Sequence, residues 1–123
     1  MKTKLLLADD EAGIRKVLGI SLEDSGYDVL LAENGEEAIE IIRNEEIHMV
    51  FMDIEMPVMN GVETTQYIRN EMPPPKNVIP IIALTAHNPE LFFEDFSDVG
   101  FDELITKPYS VEKIKEKIQN FTF

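Results

Sequence analysis

His48-Met49-Val50-Phe51-Met52-Asp53 is a short apolar run that ends in a carboxylate, and it continues as Ile54-Glu55-Met56-Pro57-Val58-Met59-Asn60-Gly61. An apolar run of this length, followed by Pro and Gly, reads as a strand buried on both faces of a parallel sheet. Its last residue, Asp53, then stands on the rim of that sheet, where the chain turns into a loop. Other runs end in the same way: Leu5-Leu6-Leu7-Ala8 leads into Asp9-Asp10, Ile81-Ile82-Ala83-Leu84 into Thr85, and Glu103-Leu104-Ile105-Thr106 into Lys107-Pro108. Three carboxylates, a hydroxyl and an amine thus gather at four strand ends. Such a set can hold a hard divalent cation and carry a phosphoryl group on Asp53.

Helical patterns fill the intervals. Ile14, Val17, Leu18 and Leu22 recur at helical spacing before Gly26, a fitting helix stop. Tyr27–Ala32 reads as a strand. Asn34 is placed to cap a helix carrying Glu37, Ala38, Ile41 and Ile42. A helix is expected from Val62 to about Glu71, ended by Pro73-Pro74-Pro75, and a strand over Val78–Leu84. Asn88 and Pro89 open the next helix, which should end near Gly100. Ser110 caps the last one, with Val111, Ile114, Ile118 and Phe121 on one face. Five β–α repeats with apolar strands predict an α/β fold: a doubly wound, parallel five-stranded sheet between two layers of helices. Residues 1–123 read as a single domain.

Composition narrows the function. The chain has 123 residues, 11 basic and 24 acidic, for a net charge of −13. A nucleic-acid backbone repels such a surface, so no direct nucleic-acid binding is expected. No apolar run approaches the ~20 residues of a membrane span, and the opening Met1-Lys2-Thr3-Lys4 is not followed by a signal-peptide pattern. We therefore expect a cytoplasmic protein without membrane association. With no cysteine there is neither a disulfide nor a thiolate metal site.

Each candidate residue has a chemical and a plainer reading. The adjacent Asp9 and Asp10 repel each other, and a Mg²⁺ ion would relieve that. Asp10 and Asp53 can ligate it directly and Asp9 through a water; alternatively, Asp9 or Asp10 caps the following helix. Asp53 is a candidate nucleophile or simply a turn-starting Asp. Thr85 is a phosphoryl hydrogen-bond donor or a β-branched strand residue. Lys107 is a phosphoryl-binding cation or a solvated charge, and its bond to Pro108 is expected to be cis. His48 and His87 lack partners at zinc spacing, and His87 either overlooks the site or is a polar loop residue. Phe92, Phe93 and Phe96 are expected to pack their own helix.

Leu7-Ala8-Asp9-Asp10-Glu11, Met52 to Gly61, Leu84-Thr85-Ala86-His87 and Ile105-Thr106-Lys107-Pro108, taken in order at strand ends, make the chain resemble the receiver domains of two-component response regulators. The resemblance covers essentially the whole chain. It implies a flavodoxin-like fold with strand order 2-1-3-4-5. It also implies that Asp53 accepts phosphate from the phosphohistidine of a sensor histidine kinase or a histidine phosphotransfer protein. Mg²⁺ would be held by Asp10, Asp53 and the backbone carbonyl of Glu55, with Asp9 assisting. Thr85 and Lys107 would contact the phosphoryl group. Phosphorylation would reshape the face of helix 4, strand 5 and helix 5 for a downstream protein target, in a monomer or a weak phosphorylation-linked dimer, and the phosphoryl group would be lost by slow self-catalysed hydrolysis. The chain departs from the family pattern at Leu104, where members often carry an aromatic residue that turns inward during switching. Tyr109, Phe101 and Phe96 are the aromatic residues placed to substitute.

Two other readings compete. An aspartate-nucleophile phosphohydrolase of the haloacid dehalogenase type typically needs a second Asp two residues after the nucleophile, where this chain has Glu55. A scaffold that is never phosphorylated would not need the full residue set. Met1 and the ending just after the last helix lead us to expect a stand-alone regulator, the alternative being a receiver domain excised from a hybrid kinase or a larger regulator.

Overall fold

Leu5, Leu6 and Leu7 expose no surface, so β1 (Lys4–Ala8) is covered on both faces. The same holds for β3 (Met49–Asp53) and β4 (Ile81–Thr85), whose residues are buried throughout. The computed structural model describes residues 2–86 and 88–121. It places β2 (Asp28–Ala32) and β5 (Glu103–Thr106) at the edges of a five-stranded parallel sheet, in the order β2-β1-β3-β4-β5.

The helices α1 (Ala12–Asp24), α2 (Gly35–Asn44), α3 (Gly61–Glu71), α4 (Pro89–Phe96) and α5 (Val111–Gln119) follow the strands in turn. Side chains alternate across each strand, so the sheet builds two cores. On one face Leu6, Val50, Met52 and Ile81 meet Ala38, Ile39 and Ile42 of α2 and Ile68 of α3. On the other, Leu5, Leu7, Phe51, Ile82 and Leu84 meet Leu18 and Leu22 of α1 and Ile114 and Ile118 of α5. Ile54, Ala83 and Phe92 form a smaller cluster, with Val62, Phe96, Phe101 and Leu104 packed on it. The flavodoxin-like three-layer fold expected from the sequence is the one found. Register then brings the chemical residues level: Ala8 pairs with Met52, Asp53 with Leu84, and Thr85 with Thr106.

Several boundaries differ from expectation. Residues Lys76–Val78 form a 3-10 turn with Val78 exposed, and β4 starts at Ile81. Pro80 has no N–H to give a ladder, and only its carbonyl is used, by Val50 N–H. β2 starts at Asp28 and α3 at Gly61, each one residue later or earlier than expected. α4 stops at Phe96, four residues before Gly100, whose φ of +109° belongs to the turn into β5. The apolar stripe of α1 is split. Leu18 and Leu22 are buried, while Ile14 and Val17 face outward. Gly19 lies against Leu31 of β2, where an added Cβ would sit 3.4 Å from the Leu31 side chain. The helix is thereby seated towards the sheet edge, with Ile14 and Val17 left out. Among the described residues no helix is long and apolar enough to cross a membrane.

Candidate functional site

Asp53 closes β3 with its carboxylate buried at 1% exposure. Its Oδ1 accepts from the Lys107 ammonium at 3.0 Å and from the Glu55 backbone N–H at 3.2 Å. Its Oδ2 is buried and has no hydrogen-bond partner among the described residues. Burial pushes the Asp53 carboxyl up to about 6; Lys107 and the Glu55 N–H pull it down, and the charge of Asp9 adds to the rise. An orphaned anionic oxygen at this depth is costly unless a cation or another acceptor-seeking group joins it.

Asp9 and Asp10 approach the Asp53 carboxylate from the end of β1. Carboxylate oxygens of Asp9, Asp10 and Asp53 lie within 4.8 Å of one another. Three clustered carboxylates, one of them carrying an unsatisfied buried oxygen, fit a hard divalent cation such as Mg²⁺, and Asp10 is open to solvent. Helix capping does not account for the acidic pair. The N-cap of α1 is Glu11, without a side-chain cap bond, and Asp9 instead accepts the Glu11 N–H on Oδ1 at 2.9 Å.

Lys107 reaches the site from the end of β5, and its peptide bond to Pro108 is cis, as expected. Burial works against its charge, but the hydrogen bond and charge of Asp53, with Asp9 and Asp10 behind it, raise its pKa. It therefore stays an ammonium ion at neutral pH. Thr85, buried at the end of β4, gives its carbonyl to Lys107 N–H at 2.7 Å, so the two strand ends are tied together. The side chain of Glu55 is exposed and lines a groove with Asp10, Met56, Asn60 and Phe96. His87 lies outside the described residues, as does the side chain of Phe93.

The sequence named Tyr109 only as a substitute for the missing switch aromatic, not as a partner of the acidic pair. Its hydroxyl donates to Asp9 Oδ2 at 2.5 Å. Burial and then the bond to Asp9 hold the Tyr109 phenol well above its ordinary range, so it remains an O–H donor. Arg15 of α1 also binds this corner, donating to the Asp9 carbonyl at 2.7 Å. The only sequence signal for Tyr109 is its place two residues after Lys107, on the segment entering the site.

Comparison with known proteins agrees with this geometry. The family profile described as response regulator receiver domain matches residues 5–119. The chain belongs to that family, a class of signalling switches. It is 37% identical to a probable transcriptional regulator ycf27 of Porphyridium aerugineum over 97% of this chain and 48% of that protein. The chain thus spans about half the length of the curated relatives it matches. Among solved structures, the chemotaxis response regulator CheY4 of Vibrio cholerae superposes with a TM-score of 0.87 at 27% identity, covering 98% of both chains. The response regulator TrrA of Thermotoga maritima, solved in complex with Mg²⁺ and BeF, gives a TM-score of 0.82 at 36% identity, again over 98% of both. The receiver reading therefore stands, and the dehalogenase-type phosphohydrolase is not favoured.

Proposed function

We propose that Asp53 is the phosphoacceptor of this receiver and that Asp9, Asp10, Asp53 and the backbone carbonyl of Glu55 hold the Mg²⁺ that assists it. The observation that carries the reading is the division of labour on one carboxylate. Oδ1 is fixed by Lys107 and the Glu55 N–H, while Oδ2 is buried and unpartnered among the described residues, and the carboxylate as a whole clusters with Asp9 and Asp10. When bound, the cation neutralises the acidic cluster and the charge that gathers on a transferring phosphoryl group. Asp53 supplies the oxygen that bonds to phosphorus. The phosphorus–nitrogen bond of a donor phosphohistidine breaks, its electron pair returns to the imidazole, and that nitrogen takes a proton from solvent. Lys107, held as an ammonium, pairs with a phosphoryl oxygen, and Thr85 donates its hydroxyl to another. The donor is a histidine kinase or a histidine phosphotransfer protein. The output is a shift at the face of α4, β5 and α5 that a downstream protein reads.

Incubation with acetyl phosphate and Mg²⁺, followed by intact mass, tests this reading. Wild type should gain one phosphoryl group, and Asp53→Asn should gain none. An equal mass gain in Asp53→Asn removes the assignment.

A further inference from the structure

We propose that Tyr109 is a positioning residue that couples cation occupancy at Asp9 to the segment between β5 and α5. This rests on the cation site described above. Both oxygens of the buried Asp9 carboxylate already take a hydrogen bond, Oδ1 from Glu11 N–H and Oδ2 from the Tyr109 hydroxyl. Asp9 thus has a protein donor on each oxygen. Asp10 is exposed and Asp53 Oδ2 is unpartnered, so Asp9 is the one member of the triad whose side chain is fully engaged by protein donors.

A cation that draws on Asp9 withdraws electron density from the oxygen that accepts from Tyr109, and the hydrogen bond from the Tyr109 hydroxyl weakens. Coupling of this kind is reciprocal: whatever the cation takes from the Tyr109 bond, that bond takes from cation affinity. The consequence reaches beyond Asp9. Tyr109 packs its ring on the core cluster of Leu5, Leu7 and Ile114, and the segment Lys107-Pro108-Tyr109 lines an apolar groove with Gly13, Ile14 and Val17 of α1. A looser Tyr109 hydroxyl frees one anchor of that groove wall. Lys107, two residues back, shares the segment and holds Asp53. Cation entry and the groove wall are therefore linked through one hydroxyl. A Tyr that merely filled core space with its polar tip turned to water would show no such link.

Tyr109→Phe keeps the ring and deletes the hydroxyl. In Mg²⁺ titrations by calorimetry, Tyr109→Phe should bind about threefold to tenfold more tightly than wild type. In the Asp9→Asn background the same deletion should leave affinity unchanged, because the acceptor charge has gone. In wild type, Mg²⁺ should speed amide exchange at residues 109–111, and Tyr109→Phe should exchange fast there with or without Mg²⁺. Equal or weaker Mg²⁺ affinity in Tyr109→Phe overturns the coupling, as does wild-type exchange that ignores Mg²⁺ at those residues. If wild type binds no Mg²⁺ at all, the metal reading itself fails, and that result is separate from any difference between wild type and Tyr109→Phe.

Discussion

Helices α3 and α4 flank the same end of the sheet, one following Asp53 and the other following Thr85, and they are held there by different means. α3 is fixed through backbone. The Asn60 side chain takes Glu63 N–H, the Glu63 carboxylate takes Asn60 N–H, and Gly61 N–H binds the Ile54 carbonyl at 2.9 Å. Gly61 packs so closely that a Cβ there would stand 2.2 Å from the Asp53 carbonyl oxygen. Further along, the Arg69 guanidinium binds the carbonyls of Gly100, Asn77 and Ile79 and the carboxylate of Asp102. α4 has a side-chain cap from Asn88, and Phe92 is the one fully buried residue among its described side chains. Leu91 is 54% exposed. Asp53 is thus braced by a helix it cannot push away, while among the described side chains the helix after Thr85 buries one ring, that of Phe92. A rigid strand end beside a helix with a single buried ring among its described side chains suits a two-state readout.

The sharpest way to break this contrast is to add one carbon at Gly61. Gly61→Ala must displace backbone at the end of β3, so unfolding stability should fall by about 3 kcal/mol or more and Mg²⁺ binding should be lost. Leu91→Ala on α4 should change stability by no more than about 0.5 kcal/mol. Urea unfolding with a Mg²⁺ titration checks both. If Gly61→Ala stays within roughly 1 kcal/mol of wild type, α3 is not the brace described.

A smaller effect concerns the charge that α3 holds in place. Burial raises the Asp53 pKa from 3.8 to about 6. The folded state therefore takes up this proton more readily than the unfolded chain. Ionisation costs no stability below pH 3.8; the cost grows between that value and about 6, and is complete above it. At about 1.4 kcal/mol per pKa unit the full cost is roughly 3 kcal/mol. Without metal, Asp53→Asn should then be more stable than wild type by roughly 2–3 kcal/mol at pH 7, and the gap should close towards pH 4. Mg²⁺ should stabilise wild type and leave Asp53→Asn almost unmoved. A metal-free Asp53→Asn no more stable than wild type at pH 7 would mean that Lys107 fully offsets the burial.

The parts of the molecule that were legible in the sequence are those set by local pattern. Apolar runs ending in Asp9, Asp53, Thr85 and Lys107 carried both the strands and the rim, because each signal lies within a few residues. What stayed hidden depends on contacts far apart along the chain. The hydroxyl of Tyr109 meets Asp9 across 100 residues, and Arg69 joins α3 to Asp102 across 33. Periodicity placed Ile14 and Val17 with Leu18 and Leu22, but it cannot say that Gly19 seats the helix against Leu31. The start of β4 was misplaced because Val78 and Ile79 look like strand residues, while Pro80 interrupts the donors.

The smallest expected change tests how the α4 side moves. Leu104 stands where related receivers often carry a ring that swings inward, and it packs with Phe92 and Phe101 on the cluster of Ile54 and Ala83. Phe96 and Phe101 lie on that same cluster, while the Tyr109 hydroxyl is turned to Asp9. β5 is also tied down: Thr106 pairs with Thr85, Lys107 N–H binds the Thr85 carbonyl, and Lys117 bonds Glu103 at 2.8 Å. Thr85 thus lies between a fixed strand on one side and a helix that buries Phe92 on the other. Addition of beryllofluoride and Mg²⁺ should change amide exchange most over residues 88–96, by about threefold to tenfold, with a smaller change over 103–106. Phe92→Leu, which weakens the docking ring, should enlarge the change in α4 and leave β5 as it was. If exchange instead changes most over 103–106 while α4 is silent, the strand carries the signal, and the contrast between the braced and the docked helix has no part in switching.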